Sequence, residues 1–116
     1  MKELSLRLFS LFNRSRSYAI GHNTDTKFDL LYFSNALAGE AGEVCNKVKK
    51  QIRDKVNMQR EIMMEICDVI TYADLLCGQL NCSIEDCMKL KWDEISIRHG
   101  MQFRIADAMI ETKGEN

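Results

Sequence analysis

Hydrophobic residues along this chain recur every three or four positions, which is the spacing of one face of a helix. The alternation typical of a half-buried strand is missing, and the sequence contains no proline that would break a helix. Helical segments are predicted at about residues 2–17, 29–54, 58–80 and 83–99. The pattern therefore predicts an all-α fold, a bundle of four to five helices.

Polar residues and glycines mark the ends of these segments. In the polar break at residues 21–26, Asp25 or Thr26 is suited to cap the second helix. Ser83 opens the sequence Ser-Ile-Glu-Asp, a start signal for the fourth helix, and Gly100 is suited to the left-handed residue after its end. Four large apolar residues of the first helix share one face: Leu4, Leu8, Leu11 and Phe12.

The length of 116 residues accommodates one domain, which we assign to residues 1–116 with a core of about residues 5–100. In the tail, residues 101–116, the apolar residues have only loosely helical spacing. We expect this tail to form a short fifth helix or a contact between subunits. Its apolar residues are Phe103, Ile105, Ala106, Met109 and Ile110.

Composition narrows the classes of function. The 16 basic and 17 acidic residues give a net charge of −1, so no overall field attracts nucleic acid, and we expect no such partner. No run approaches the roughly 18 apolar residues of a membrane span, and Lys2, Glu3 and Arg7 argue against a signal peptide. The five cysteines include no Cys-x-x-Cys pair, as expected of small buried residues in a reducing compartment. We therefore expect a cytoplasmic protein with no membrane partner.

Two pairs of carboxylates carry the strongest chemical signal. Glu40 and Glu43 lie three positions apart in Gly-Glu-Ala-Gly-Glu, and Glu65 and Asp68 have the same spacing in Glu-Ile-Cys-Asp. Residues three apart lie about 60° apart around a helix, so both members of a pair can point to one spot. Each pair falls within the apolar stripe of its helix, where an unpaired carboxylate is costly.

The helices that carry these pairs are joined by a short connection, so they can pack as antiparallel neighbours. Glu43 and Glu65 are each roughly ten residues from the turn, and the pairs would then meet as one acidic cluster. All-oxygen ligands favour Mg²⁺, with Mn²⁺ as a substitute. A di-iron bundle is rejected, because the sequence contains no Glu-x-x-His. The competing interpretation is that the pairs lie on solvated faces with ordinary salt bridges.

Gly39 and Gly42 lie beside the first pair, and each costs about 1 kcal/mol relative to alanine inside a helix. Close approach of a neighbouring helix, or room for a ligand, would account for both. Metal-bound carboxylates beside cations are the arrangement that phosphate-ester chemistry needs. The candidate phosphate contacts are Lys47, Lys50, Arg53, Lys91 and Arg98.

Four segments match one known family. They are A-L-A-G-E-A-G-E-V at 36–44, K-V-K-K at 47–50, E-I-C-D at 65–68 and K-W-D-E-I-S-I-R-H-G at 91–100. They resemble the MazG-like all-α nucleoside triphosphate pyrophosphohydrolases over about residues 5–100. The most specific part is the double motif, Glu-x-x-Glu followed by Glu-x-x-Asp, which matches that family's metal-binding signature.

The resemblance implies a helical-bundle enzyme, a homodimer or homotetramer, that uses Mg²⁺ to hydrolyse a nucleoside triphosphate to the monophosphate and pyrophosphate. A metal-activated water would attack the α-phosphorus, and one of the acids would help to take its proton. The implied metal-binding and catalytic residues are Glu40, Glu43, Glu65 and Asp68. The implied substrate-binding residues are Lys47, Lys50, Lys91, Arg98, Asn13 and Arg14.

Two alternatives stay open at this point. Phosphoribosyl-ATP pyrophosphohydrolases use the same chemistry on a histidine-pathway intermediate. A non-catalytic helical module would bind nucleotides or a partner protein without turnover. The retention of all four acids favours catalysis, and control of the nucleotide pool is the role that we expect.

Overall fold

The computed structural model describes residues 2–22, 26–105 and 107, and it is helical along most of that length. The four helices are α1 (Leu6–Ala19), α2 (Thr26–Asp54), α3 (Gln59–Gln79) and α4 (Ile84–Arg98). Within these residues no strand occurs, so the predicted all-α class is confirmed.

Side-chain caps set the starts of two helices. The Leu8 amide donates to Ser5 Oγ at 3.0 Å, so α1 begins at Leu6, four residues later than its hydrophobic pattern suggested. The Asp86 amide donates to Ser83 Oγ at 3.4 Å, which confirms the predicted start of α4. The predicted cap Asp25 lies outside the described residues.

The ends of the helices rely on backbone conformation. Gly100 follows α4 with φ of +70°, the left-handed conformation predicted for it. Lys55, directly after α2, has φ of +54°, and this residue begins the short connection to α3. That connection is held by the Met58 amide, which donates to Gln51 Oε1 at 2.8 Å.

α2 and α3 form the main pair and run antiparallel. Their contacts link Lys47 to Glu65 and Phe33 to Tyr72, so position numbers fall along one helix as they rise along the other. Phe33 is 1% exposed and is one of two buried hydrophobic residues among those described. The predicted antiparallel packing of the two helices is confirmed.

α1 docks against α3 through polar side chains. Asp74 of α3 is fully buried and accepts hydrogen bonds from Ser10 Oγ at 2.6 Å, Asn13 Nδ2 at 2.9 Å and Arg14 Nη2 at 3.2 Å. The Arg14 guanidinium crosses Gly78, where a Cβ atom would lie 3.2 Å from Nε. A glycine late in α3 therefore makes room for the charged group that pairs with Asp74.

The apolar face of α1 points away from this contact. The four apolar residues that the sequence pattern grouped on one face are all exposed in the single chain, whereas Leu6 and Phe9 of α1 are half-buried beside α3. Leu75 is the other buried hydrophobic residue, so the described part of one chain encloses only a small apolar core. The exposed residues of the α1 face are Leu4, Leu8, Leu11 and Phe12.

α4 packs on α1, and the first residues of the tail fold back on α4. Arg7 Nε lies 3.2 Å from Glu85 Oε2, which links the start of α1 to the start of α4. After α4, the Ile105 amide donates to Asp93 Oδ1 at 2.8 Å, and the Phe103 and Trp92 rings lie 5.9 Å apart. Most of the segment in which a fifth helix is predicted, residue 106 and residues 108–116, lies outside the described residues.

In the part of the chain that the structure describes, no helix is both long enough and apolar enough to cross a membrane.

The prediction that the cysteines are buried is wrong for this chain by itself: three are exposed, and Cys77 and Cys82 are half-buried. Four of them lie on helices, and Cys82 lies between α3 and α4; the single chain leaves all five at least partly exposed. The exposed cysteines are Cys45, Cys67 and Cys87.

Candidate functional site

The antiparallel pair of α2 and α3 brings three of the four predicted acids together. Carboxylate oxygens of Glu40, Glu65 and Asp68 all lie within 4.8 Å of one another. Glu40 and Glu65 are half-buried where the helices face each other, and Asp68 is exposed at the edge. Helix pairing and the three-residue spacing of Glu65 and Asp68 together produce this group, which we call the acidic cluster.

Glu43, the fourth predicted acid, lies at the rim of the acidic cluster. Lys47 Nζ is 3.6 Å from Glu43 Oε2 and 3.4 Å from Glu65 Oε1, so one ammonium group bridges the two glutamates. The Glu43 side chain is 52% exposed, against 19% for Glu65. Glu43 is therefore linked to the acidic cluster through Lys47 and is not one of the three acids that meet there.

Negative charge dominates the acidic cluster. A side-chain hydrogen bond with Glu65 raises the pKa of Glu40, and burial and the charges of Asp68, Glu65 and Glu43 raise it further. Carboxylates that repel one another in this way favour a cation among them. The donors are all oxygens on two rigid helices, which fits a hard divalent cation such as Mg²⁺ and fits a soft metal poorly.

The glycines beside the acidic cluster face open space. A Cβ atom built on Gly39 or Gly42 meets no atom within 4 Å. Within the described part of the chain, close approach of a helix is therefore not the reason for these glycines. Of the two explanations given by the sequence, room for a ligand agrees with this geometry.

The other predicted phosphate contacts lie elsewhere. Lys50 is exposed near the end of α2, where its charge helps the Arg53 hydrogen bond to lower the pKa of Asp54. Lys91 Nζ lies 3.0 Å from Glu94 Oε1, and Arg98 Nη2 lies 3.3 Å from the same atom, both on the surface of α4. Arg53 Nε lies 2.8 Å from Asp54 Oδ1, its neighbour in the chain. Of the five predicted cations, the contacts that the structure describes bring only Lys47 to the acidic cluster.

The two predicted substrate-binding residues of α1 serve the contact with α3. Asn13 is 3% exposed, and its Nδ2 donates to Thr71 O at 3.0 Å as well as to Asp74. Arg14 Nη2 donates to Asp74 and to Cys82 O at 3.1 Å, so it joins α1 to α3 and to the start of α4. Asn13 Nδ2 and Arg14 Nη2 thus donate to protein acceptors, whereas the buried Arg14 Nε has no hydrogen-bond partner among the described residues.

An aromatic group that the motif analysis did not single out adjoins the acidic cluster. The pKa of Tyr72 is raised by burial first, then by Tyr32 and by the charge of Glu40. The ring centroids of Tyr32 and Phe33 lie 5.6 Å apart, and that of His22 lies 5.4 Å from Tyr32. The spacing of Tyr72, one helical turn after Asp68, is the sequence signal that places it on the same face.

Comparisons with known proteins identify no family. No family model matches the chain, and no solved structure matches it. One similar protein is the Gene 37 protein of Mycobacterium phage L5, which is 40% identical over 57 residues. The match covers 45% of this chain and 50% of the phage protein, so it spans about half the length of that relative. The name of this relative states no activity.

Proposed function

We propose that the protein is a Mg²⁺-dependent nucleoside triphosphate pyrophosphohydrolase of the MazG-like type, which converts (d)NTP to (d)NMP and pyrophosphate in cytoplasmic control of the nucleotide pool. The observation that carries the proposal is the acidic cluster of Glu40, Glu65 and Asp68. Two carboxylate motifs, 25 positions apart at Glu40 and Glu65, meet at one point between two helices. If these carboxylates served only in ordinary surface salt bridges, the two motifs would have no reason to meet.

The residues of the acidic cluster would hold the cation, with Glu43 joining from the rim. A bound Mg²⁺ supplies positive charge to phosphate oxygens and lowers the pKa of a water molecule, which is the chemistry that hydrolysis of a phosphoric anhydride needs. One carboxylate not fully engaged by the cation would accept a proton from the attacking water. Lys47 Nζ, already between Glu43 and Glu65, would turn to a phosphate oxygen of the substrate.

We further propose that the working enzyme is a homodimer or homotetramer. A single chain buries two hydrophobic residues in its described part and exposes many large ones, which is a small core for a chain of this length. A second copy is the occupant that these faces fit, because any chain that exposes them meets identical chains that expose the same faces. Association would also allow Lys91 and Arg98 of one subunit to approach the acidic cluster of another.

Analytical ultracentrifugation tests the assembly. The expected result is a dimer or tetramer at micromolar concentration, with no monomer boundary. A chain that sediments as a folded monomer, with the helical content of the structure, would contradict this part of the proposal. It would leave the reaction itself to be decided by the assay below.

Product analysis tests the reaction. The protein is incubated with Mg²⁺ and a panel of NTPs and dNTPs, and chromatography separates monophosphate plus pyrophosphate from diphosphate plus phosphate. Glu65→Gln keeps the size of the side chain but weakens its binding of a cation, so turnover should fall by at least about 100-fold. Glu61→Gln, one turn earlier on α3 and exposed, is the matched control and should keep full activity.

The alternatives correspond to other outcomes of the same assay. Turnover of phosphoribosyl-ATP, with none of the NTPs, would move the assignment to that pyrophosphohydrolase. Mg²⁺-dependent nucleotide binding without product would indicate a binding module. Full activity in Glu65→Gln, or diphosphate and phosphate as products, would contradict the proposed reaction.

A further inference from the structure

One side chain of α2 carries a positive charge into the acidic cluster. Lys47 Nζ lies 3.4 Å from Glu65 Oε1 and 3.6 Å from Glu43 Oε2. The first carboxylate belongs to α3 and the second to α2, so the ammonium group spans the contact between the two helices. Among the ion pairs of the described residues, no other cation reaches these acids. Lys47 is therefore the protein's own counter-ion for the acidic cluster.

The ammonium group of Lys47 does not balance all the charge around it. Oxygens of the three clustered acids lie within 4.8 Å of one another, and Glu43 adds a fourth carboxylate at the rim. One positive charge thus faces up to four negative charges. A divalent cation at the same carboxylates would supply twice the charge of Lys47, and it would bind the oxygens directly.

Lys47 and a divalent cation would need the same carboxylate. Glu65 is the partner of Lys47 across the helix contact, and it is also one of the three acids that meet in the acidic cluster. Two positive charges beside one carboxylate repel each other. Lys47 can withdraw without a change of backbone, because its side chain is 26% exposed and has a flexible four-carbon stem.

We propose that Lys47 is a displaceable counter-ion, which neutralises Glu43 and Glu65 until a divalent cation takes these carboxylates and then turns its ammonium group to solvent. The proposed function supplies the identity of this cation, and the displacement adds an order of events at the same site. The ammonium group becomes available to a phosphate group when the cation takes its carboxylates. Binding of the cation and binding of a phosphate group are therefore positively coupled through Lys47.

Amine labelling of the full chain tests the displacement without any nucleotide. The protein is treated briefly with a small amount of acetic anhydride, with and without Mg²⁺ at constant ionic strength, and peptide mapping measures the label at each lysine. Labelling of Lys47 should rise about 2–5-fold with Mg²⁺, the factor that corresponds to the loss of a partly exposed ion pair. Lys89, which pairs with Asp86 on α4, is the internal control and should not change.

Asp68→Ala separates displacement from a general effect of Mg²⁺ on amine labelling. Asp68 supplies an oxygen to the acidic cluster, but the ion-pair partners of Lys47 are Glu43 and Glu65. The substitution therefore weakens the cation site and leaves both partners of Lys47 in place. In Asp68→Ala, Mg²⁺ should no longer raise the labelling of Lys47.

Displacement must also affect the affinity for Mg²⁺, because removal of a competing charge strengthens binding. Calorimetric titration with Mg²⁺ alone should show that Lys47→Gln binds about 2–5-fold more tightly than the unsubstituted chain. Lys49→Gln removes the same charge from an exposed position about 200° away around α2, and it should leave the affinity unchanged. Lys47→Arg keeps the positive charge and should bind Mg²⁺ no more tightly than the unsubstituted chain.

Three results would overturn the inference: labelling of Lys47 that Mg²⁺ does not change, a rise in labelling that persists in Asp68→Ala, or Mg²⁺ binding that Lys47→Gln does not strengthen. Product analysis decides the proposed reaction separately. Labelling of Lys47 that depends on Mg²⁺, in a protein without turnover, would retain the displaceable counter-ion and remove the reaction. Turnover with unchanged labelling would remove the displaceable counter-ion alone.

Discussion

α3 presents carboxylates to two neighbouring helices, α1 and α2, and these carboxylates differ in burial and in the charge around them. Towards α1, Asp74 is 0% exposed and accepts hydrogen bonds from Ser10, Asn13 and Arg14. Towards α2, Glu65 and Asp68 meet Glu40 in the acidic cluster, where Lys47 is the cation within ion-pair distance. One carboxylate is buried and fully paired, while the others are more exposed and repel one another.

Under the proposed function, the difference separates a structural carboxylate, Asp74, from the carboxylates that would bind a cation. A buried charge that is paired and hydrogen-bonded holds two helices together, and removing one partner leaves the other buried without compensation. A cluster of like charges destabilises the protein that carries it, and such a cluster is retained where it binds a ligand of opposite charge. The following predictions test that distinction, from the largest expected effect to the smallest.

The largest effect is expected from removal of Asp74. Asp74→Ala should lower the free energy of unfolding by about 3 kcal/mol, because the donors of Asn13 and Arg14 lose their shared acceptor in a buried contact. Urea denaturation measures the change. Asp68→Ala is the matched control on the same helix, and it should change the free energy by less than about 0.5 kcal/mol. Equal losses in the two variants would remove the distinction between the two sets of carboxylates.

Addition of Mg²⁺ should stabilise the protein through the acidic cluster alone. At a Mg²⁺ concentration ten times the dissociation constant, the free energy of unfolding should rise by about 1.4 kcal/mol. Thermal unfolding with and without Mg²⁺ measures the effect at constant ionic strength. The rise should vanish in Asp68→Ala and persist in Glu61→Gln. A rise that survives in Asp68→Ala would place the cation elsewhere.

Two glycine substitutions should have opposite signs. Gly78→Ala brings a Cβ atom to 3.2 Å from Arg14 Nε, and Arg14 is held by acceptors on Asp74 and Cys82, so we expect a loss of about 1 kcal/mol. Gly42→Ala meets open space and should gain up to about 1 kcal/mol from its better helix propensity. Chemical denaturation of both variants checks the pair. A loss for Gly42→Ala would show that another subunit occupies that space.

The smallest effect concerns the pH dependence of the metal-free protein. Because the pKa of Glu40 is raised in the folded state, its protonated form stabilises the fold at low pH. This contribution is lost as the pH rises from the ordinary value of 4.5 through the raised value. Glu40→Gln cannot ionise, so near neutral pH it should unfold about 1–2 °C above the unsubstituted protein.

Thermal unfolding over a pH series in the absence of divalent cations measures this difference. The advantage of Glu40→Gln should be smallest at acidic pH and should reverse when Mg²⁺ is added, since only the unsubstituted carboxylate binds the cation well. An unchanged difference across the pH series would contradict the assigned direction of the pKa shift.

Local signals accounted for most of the secondary structure. Ser83 and Gly100 predicted both limits of α4, because a capping hydroxyl and a left-handed glycine act through backbone groups within a few residues. The start of α1 was misplaced because apolar spacing continues before Ser5, whose side chain caps the helix. Periodicity reports the face of a helix, but it does not report where the helix begins.

The predicted acidic site was recovered in part. Glu40, Glu65 and Asp68 meet because helical spacing fixes each pair and the short connection after α2 fixes the antiparallel register. In the described part of the chain, Lys91 and Arg98 do not contact these acids, because α4 packs on α1 and both cations pair with Glu94. Contacts between distant segments depend on how the helices pack, and a sequence motif does not show that packing.

The sequence by itself determined the all-α class, the antiparallel packing of α2 and α3, and the meeting of three of the four predicted carboxylates between them, since each follows from periodicity and short connections. Only the tertiary structure decided which face of α1 packs inward. The chain turns to α3 the face that carries Ser10, Asn13 and Arg14, because Asp74, buried on α3, needs their donors. The apolar stripe that appeared to mark the core of α1 is therefore left at the surface of the single chain.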